Sequence, residues 1–232
     1  HRTEAGWAYG YPELSAAHRE AIRTGKRIAV PGCYATGFIT TAYALAAGGI
    51  LPKDYPVSAF AVSGYSGGGK KMIAQYQAQD KEKELSSARL YALSQSHKHL
   101  KEMKAISGLE RTPLFSPMVT DYYSGMTVSL TFYADMLNGR QTPETVREYL
   151  AKHYAGEKFI TVQPLGAEAE SGGVLFSSAR SGWDGLEIYV TGNEDRIMVT
   201  TRFDNLGKGA SGAAIQCMNI VLGCEEDKGL TV

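Results

Sequence analysis

The sequence predicts an α+β fold, on three observations. A strand–helix pair stands near the start, strands and helices then mix around a hairpin without regular alternation, and a single helix closes the chain. Ser15 is placed to cap a helix through Arg23, with Gly25 as its stop. Residues 27–30 read as a short strand that feeds a Pro31-Gly32 turn, one cysteine and a helix over 38–47 that starts near Thr36. Residues 56–63 read as a strand running into Ser63-Gly64-Tyr65-Ser66-Gly67-Gly68-Gly69-Lys70-Lys71, a stretch too glycine-rich for regular structure. Polar 75–87 is a solvated helix or loop. Residues 97–103 predict a short helix stopped at Gly108, and 126–133 alternate as a strand. Thr142-Pro143-Glu144 supplies a cap, a proline at the first helical position and an acid in the first turn, so a helix runs to about Tyr154. Residues 159–162 form a strand, and 186–191 with 196–203 flank Gly192-Asn193-Glu194-Asp195 as a hairpin. The last helix runs from Ser211 to about Leu222.

Composition narrows the function classes. Lys plus Arg and Asp plus Glu number 24 each, which argues against a broad basic surface for nucleic acid or an anionic membrane. Three cysteines make no disulfide framework and fit a reducing compartment. No apolar run reaches the roughly 18 residues of a membrane helix, and no signal peptide is read. The expectation is a soluble, cytoplasmic protein without nucleic-acid or membrane partners. His1-Arg2-Thr3, with no methionine, leads into an aromatic loop and reads as a start in mid-domain.

Four stretches carry chemistry. Cys33 sits where the free N–H groups and positive end of a helix favour an anion, a placement expected to lower its pKa and suited to a nucleophile; the plain alternative is a small buried hydrophobe. Cys217 and Cys224 read as packing residues. His97 and His99, with Glu102 nearby, lack a third ligand at a usual metal spacing; surface histidines and a general acid or base both remain open. Gly64-x4-Gly69-Lys70-Lys71 is one residue from a P-loop, with Lys71 where magnesium would need a hydroxyl. An anion cradle with Lys70 or Lys71 as counter-charge, or a flexible loop, are its other readings. Asn205 to Gly212, with Gly207, Gly209 and Gly212 in a Gly-x-Gly-x-x-Gly pattern, permits close ligand approach at a helix start or forms only a tight turn.

Together, and in this order, Trp7-Ala8-Tyr9-Gly10-Tyr11-Pro12-Glu13-Leu14, Pro31-Gly32-Cys33-Tyr34-Ala35-Thr36-Gly37, Ser63 to Lys70, His97-Lys98-His99 with Glu102, and Asp204 to Gly212 form a specific pattern. The chain resembles N-acetyl-gamma-glutamyl-phosphate reductase in its shorter form, over nearly its whole length. The resemblance implies an NADPH-dependent enzyme of arginine biosynthesis with a Rossmann-type domain and a mixed-sheet catalytic domain like that of glyceraldehyde-phosphate dehydrogenase. It assigns Cys33 as the thiol that attacks an acyl phosphate, His97 as the acid/base group and Glu102 as an orienting or substrate-contacting acid. Ser63, Gly64, Tyr65, Ser66, Gly67 and Lys70 become the substrate and phosphate loop. Asn205, Gly207, Gly209 and Gly212 become the segment beside the nicotinamide of NADP(H). No metal is implied, and a homodimer or homotetramer is. The family's glycine-rich dinucleotide fingerprint is not among these residues. The expected division is therefore 1–32 as the remainder of the dinucleotide domain, 33–205 as the catalytic domain and 206–232 as a helix returning to the former. An excised or partly ordered piece of a longer protein is expected. Three other classes stay open: another acyl-phosphate or semialdehyde dehydrogenase on this scaffold, a P-loop-like nucleotide-binding protein, and a non-catalytic binding module.

Overall fold

Two sheets of unequal size share one long apolar helix's surroundings. The computed structural model describes residues 2–232; His1 lies outside the described residues. In chain order the elements are β1 (Ala8–Tyr9), α1 (Ala16–Thr24), β2 (Ile28–Ala29), α2 (Cys33–Ala47), β3 (Ser58–Gly64), α3 (Gly69–Gln77), β4 (Arg89–Leu90) and α4 (Leu100–Ser107). There follow β5 (Leu114–Thr120), β6 (Met126–Tyr133), α5 (Pro143–His153), β7 (Ile160–Val162), β8 (Leu186–Gly192), β9 (Arg196–Phe203) and α6 (Gly212–Leu222). Seven strands form a mixed sheet in the order β4-β5-β3-β6-β9-β8-β7. The β3–β5 pair is parallel, so the chain crosses over through α3, β4 and α4 between them. The β8–β9 pair is the expected hairpin, its turn closed by Asn193, whose Oδ1 accepts the backbone N–H groups of Asp195 and Arg196 at 3.0 and 2.9 Å.

Helix α2 is apolar on nearly every side because it lies between layers: Phe38, Ile39 and Leu45 are fully buried, each worth about 1.5–3 kcal/mol over an exposed side chain. It begins one turn earlier than expected. Gly32 is extended and its carbonyl accepts from Thr36 N at 2.8 Å, so Cys33 itself is the first helical residue. Helices α1 and α5 start where read. The Ser15 hydroxyl accepts from His18 N, and Thr142 with Thr145 forms a reciprocal capping box.

Two expectations are corrected. Residues 65–68 wind into a 3-10 turn and α3 begins at Gly69, so the glycine-rich stretch is regular after all. Strand β5 went unread because Pro117 interrupts it. The proline is tolerated there because β4, beside it, pairs backbone only as far as Met118 and then through Tyr91 N to the Pro117 carbonyl, and that pairing asks for no N–H from residue 117.

The smaller sheet pairs β1 and β2 in parallel. Its apolar side is a separate cluster: Ile22 of α1 and Cys217 and Ile220 of α6, with Ala8 and Ile28. The ends of the chain are thus joined in one layer. Between that layer and the large sheet lie the N-terminus of α2, the end of β3, the start of α4 and the β9–α6 junction.

Candidate active site

These four element ends enclose a cavity of about 370 Å³ lined by Cys33, Tyr34, Ser63, Ser66, His97 and Asn205, among others. Helix α2 sets the thiol at its mouth. The turn before it is fastened from behind by α4: Glu102 is buried and accepts the Gly32 N–H at 3.0 Å and the Tyr9 hydroxyl at 2.9 Å, with Arg2 at 3.4 Å. Burial raises the Glu102 carboxyl above its ordinary pKa, against the opposing pull of Arg2 and the Gly32 N–H. Glu102 does not itself line the cavity; it holds the turn that presents Cys33.

His97 and His99 share one loop but occupy different environments. The His97 ring is half-buried and lines the cavity, 4.7 Å from the His99 ring. Its Nδ1 accepts the His99 backbone N–H at 3.2 Å, which leaves the proton of the neutral ring on Nε2. Burial, then Lys98, lowers its pKa. His99 is buried against Gly32, where a Cβ would come within 2.1 Å of Nε2. Its Nδ1 has no partner among the described residues, and burial, with the charges of His97, Arg2 and Lys98, pulls it down to about 3. Among the described residues no group of side chains suited to a metal ion forms here or elsewhere.

The thiol departs from expectation. Desolvation pushes Cys33 up to about 11, overriding the Tyr34 backbone N–H and the Lys98 charge that pull the other way. At rest it is a thiol: the helix end supplies donors, and close packing outweighs them.

The substrate-loop candidates separate. Ser63, Gly64, Ser66 and Gly67 line the cavity. Tyr65 turns away and stacks on Tyr76, with ring centroids 4.6 Å apart, and Lys70 is exposed on α3. The N–H groups of Gly64, Tyr65 and Ser66 are taken by the carbonyls of Gly125, Tyr122 and Tyr123 at 2.9–3.0 Å. These bonds fix the start of the loop to the 122–125 turn, and the exposed Lys70, with Lys71 in place of a hydroxyl, argues against the P-loop alternative, which needs a lysine turned inward. The cations at the cavity are instead Arg2 and Lys98, which motif reading passed over; Lys98 was visible only as the residue between two histidines.

The nicotinamide candidates separate too. Asn205 and Gly209 line the cavity. The Asn205 amide is fixed, donating to Ser66 Oγ at 2.9 Å and accepting from Gly125 N at 2.8 Å. Gly207 and Gly212 do not line it. A Cβ on either would strike the Trp183 carbonyl or Asp184 Oδ1, so both are glycine to admit the protein's own chain. Between them Lys208 is fully buried, with Nζ 2.5 Å from Glu13 and 2.7 Å from Gln216.

The geometry has counterparts. A family model described as "Semialdehyde dehydrogenase, dimerisation domain" matches residues 33–205. The fold is similar to aspartate semialdehyde dehydrogenase from Francisella tularensis, with a TM-score of 0.71 at 15% identity over 95% of this chain and 72% of that one. It is also similar to aspartate semialdehyde dehydrogenase II from Vibrio cholerae, with a TM-score of 0.69 at 14% identity over 96% and 70%. In sequence the chain is 40% identical to "N-acetyl-gamma-glutamyl-phosphate reductase 2" of Nostoc sp., over 99% of its own length and 74% of the relative's. It is 42% identical to N-acetyl-gamma-glutamyl-phosphate reductase of Brucella ovis, over 96% and 73%. The chain belongs to the semialdehyde dehydrogenase family, in its N-acetyl-gamma-glutamyl-phosphate reductase branch.

Proposed function

We propose that this chain performs the NADPH-dependent reduction of N-acetyl-L-glutamyl 5-phosphate to N-acetyl-L-glutamate 5-semialdehyde, through a thioester on Cys33, as part of arginine biosynthesis. The observation that carries the reading is the meeting of Cys33, His97 and two cations, Arg2 and Lys98, around one cavity. Sγ attacks the acyl carbon, the bond from that carbon to the phosphate oxygen breaks, and phosphate leaves with the electron pair and the thiol's proton. The thiol's proton passes to the departing phosphate oxygen as the carbon–oxygen bond breaks, so phosphate leaves as hydrogen phosphate and charge balances across the step. Arg2 and Lys98 face the phosphate, and the first N–H groups of α2, free of helical acceptors, face the oxygen that gains charge. His97 offers Nε2–H to the same oxygen and relays the proton that the reduction consumes.

NADPH, when bound, supplies hydride. The cavity has room for a nicotinamide ring and an acyl group, and Gly209 and Ala210 are part of its lining. Asn205, already clamped on both sides, is the residue to orient the ring's carboxamide. The layer of β1, α1, β2 and α6 is the part we assign to the dinucleotide side, with 33–205 as the catalytic domain. The outer face of the large sheet, with Phe60, Leu114 and Tyr133 exposed, is the face we assign to a second copy of the chain, in keeping with the matched dimerisation domain. Among the described residues no helix is long and apolar enough to cross a membrane.

Cys33→Ser tests the reading. Turnover of the acyl phosphate is expected to fall by at least about 10³-fold with the fold intact, and incubation of the parent protein with substrate alone should give an acyl-protein adduct by mass spectrometry. Retained turnover in the variant, or an adduct elsewhere, would remove the covalent route. A panel of acyl phosphates in the same assay separates this substrate from a relative such as aspartyl phosphate.

A further inference from the structure

We propose that Gln95 is a positioning residue for His97: its side-chain amide takes the place of the strand that β5 lacks at Phe115. The amide makes two hydrogen bonds to one residue's backbone. Nε2 donates to the Phe115 carbonyl at 2.8 Å, and Oε1 accepts the Phe115 N–H at 2.9 Å. These are the bonds an edge strand would make to an outward-facing residue. The backbone ladder between β4 and β5 reaches Tyr91 N and the Pro117 carbonyl, and then the chain turns away. Phe115, two residues further along β5, would otherwise present an unpaired donor and acceptor at a buried position.

Two further observations tie this grip to the cavity. The Phe115 ring is fully buried and meets the His97 ring edge-on at 5.4 Å and the Tyr34 ring at 5.3 Å. The backbone is also strained to bring the amide there. Ala92 and Gln95 have φ of 52° and 55°, the only non-glycine residues with positive φ among those described, and both lie in the loop between β4 and the histidines. Gln95 N–H closes the turn onto the Ala92 carbonyl at 2.9 Å. A non-glycine residue held left-handed is strained and persists where its surroundings impose it. Nothing local requires a glutamine at that φ; the requirement is an amide long enough to reach Phe115.

The inference rests on His97 as the acid/base group, and the test separates the two. Gln95→Gly accepts the left-handed backbone but has no amide, so any loss reports the two bonds and not the strain; Gln95→Ala repeats the test with a Cβ. Both variants are expected to lower kcat about tenfold, with KM within about twofold and the melting temperature down by a few degrees, since the Phe115 N–H and carbonyl lose their partners. The limb of the pH–kcat profile assigned to His97 should shift, and the His97 ring signals in the NMR spectrum should broaden or move. An unchanged kcat with an unmoved His97 limb in Gln95→Gly overturns the proposal. So does a loss that follows only KM or the folded fraction. Full turnover in a His97→Ala control instead overturns the assignment of His97, whatever Gln95 does.

Discussion

Two of the helix entrances that run through glycine near the cavity, those of α2 and α6, are built for opposite ends. At 31–37, Gly32 leaves room for the His99 ring and the helix opens directly onto a void with Cys33 at its rim. At 207–212, the glycines leave room for the Trp183 carbonyl and Asp184, and Lys208 is sealed between Glu13 and Gln216. Both runs look alike as sequence. In both, the protein's own atoms fill the space a Cβ would take; what separates them is that the first helix start borders a void and the second is closed in by the chain.

The largest effect is expected at the sealed entrance. Lys208→Met removes the cation from a site that is about 1% exposed and leaves the Glu13 carboxylate buried without its counter-charge. Breaking such a pair costs about 3–5 kcal/mol, so chemical denaturation should show a large loss of stability. A loss under 1 kcal/mol would mean that the network is solvated and the entrance is not sealed.

Next come the glycines. Gly212→Ala puts a Cβ 2.2 Å from Asp184 Oδ1, and Gly32→Ala puts one 2.1 Å from His99 Nε2. Overpacking of this kind costs about 1–3 kcal/mol. The comparison predicts that the two costs appear in different measurements. Gly212→Ala should lower the melting temperature with kcat/KM per folded molecule intact. Gly32→Ala should lower kcat/KM about tenfold or more, because the displaced ring moves the Cys33 turn and the His97 contact. Equal behaviour of the two variants in both assays breaks the distinction.

The open entrance was the more legible one. The helix, the cysteine at its start and the histidine loop were readable because each rests on local signals: a Pro-Gly turn, an apolar run, a short polar helix stopped by glycine. The hairpin and the Thr142 cap were readable for the same reason. What the sequence left hidden depends on contacts between distant segments. Strand β5 was masked by Pro117, whose missing N–H matters only if a neighbour needs it. Gly207 and Gly212 look like ligand glycines until Trp183, more than twenty residues upstream, is seen against them. Arg2 and Lys98 look like ordinary surface charges until the cavity closes around them. The thiol's acidity is not legible locally, because a helix end is a local feature, whereas desolvation is set by everything packed around it.

The desolvated thiol has a pH signature. With the Cys33 pKa near 11, the thiolate is the minor form throughout the neutral range, and its fraction rises about tenfold per pH unit. Iodoacetamide labelling of Cys33 in the unliganded protein should therefore climb steadily from pH 7 to pH 10. A rate already level by pH 8 would restore the dipole-stabilised thiolate. Lys98→Ala should slow labelling at every pH, since the ammonium lowers the thiol's pKa.

The most specific effect belongs to His99. Its folded-state pKa, about 3, lies far below the ordinary value of about 6.5 in an unfolded chain. The native ring therefore stays neutral while the unfolded one takes up a proton as pH falls. Stability from this group is complete above pH 6.5 and drains away as pH drops toward 3, at on the order of 1 kcal/mol per pH unit. His99→Gln should flatten that stretch of the stability–pH curve. His97→Gln should flatten it less, because His97 is shifted in the same direction but sits half-open to the cavity. If the two substitutions flatten the curve equally, the rings share one environment, and Gly32 is not making room for a neutral imidazole.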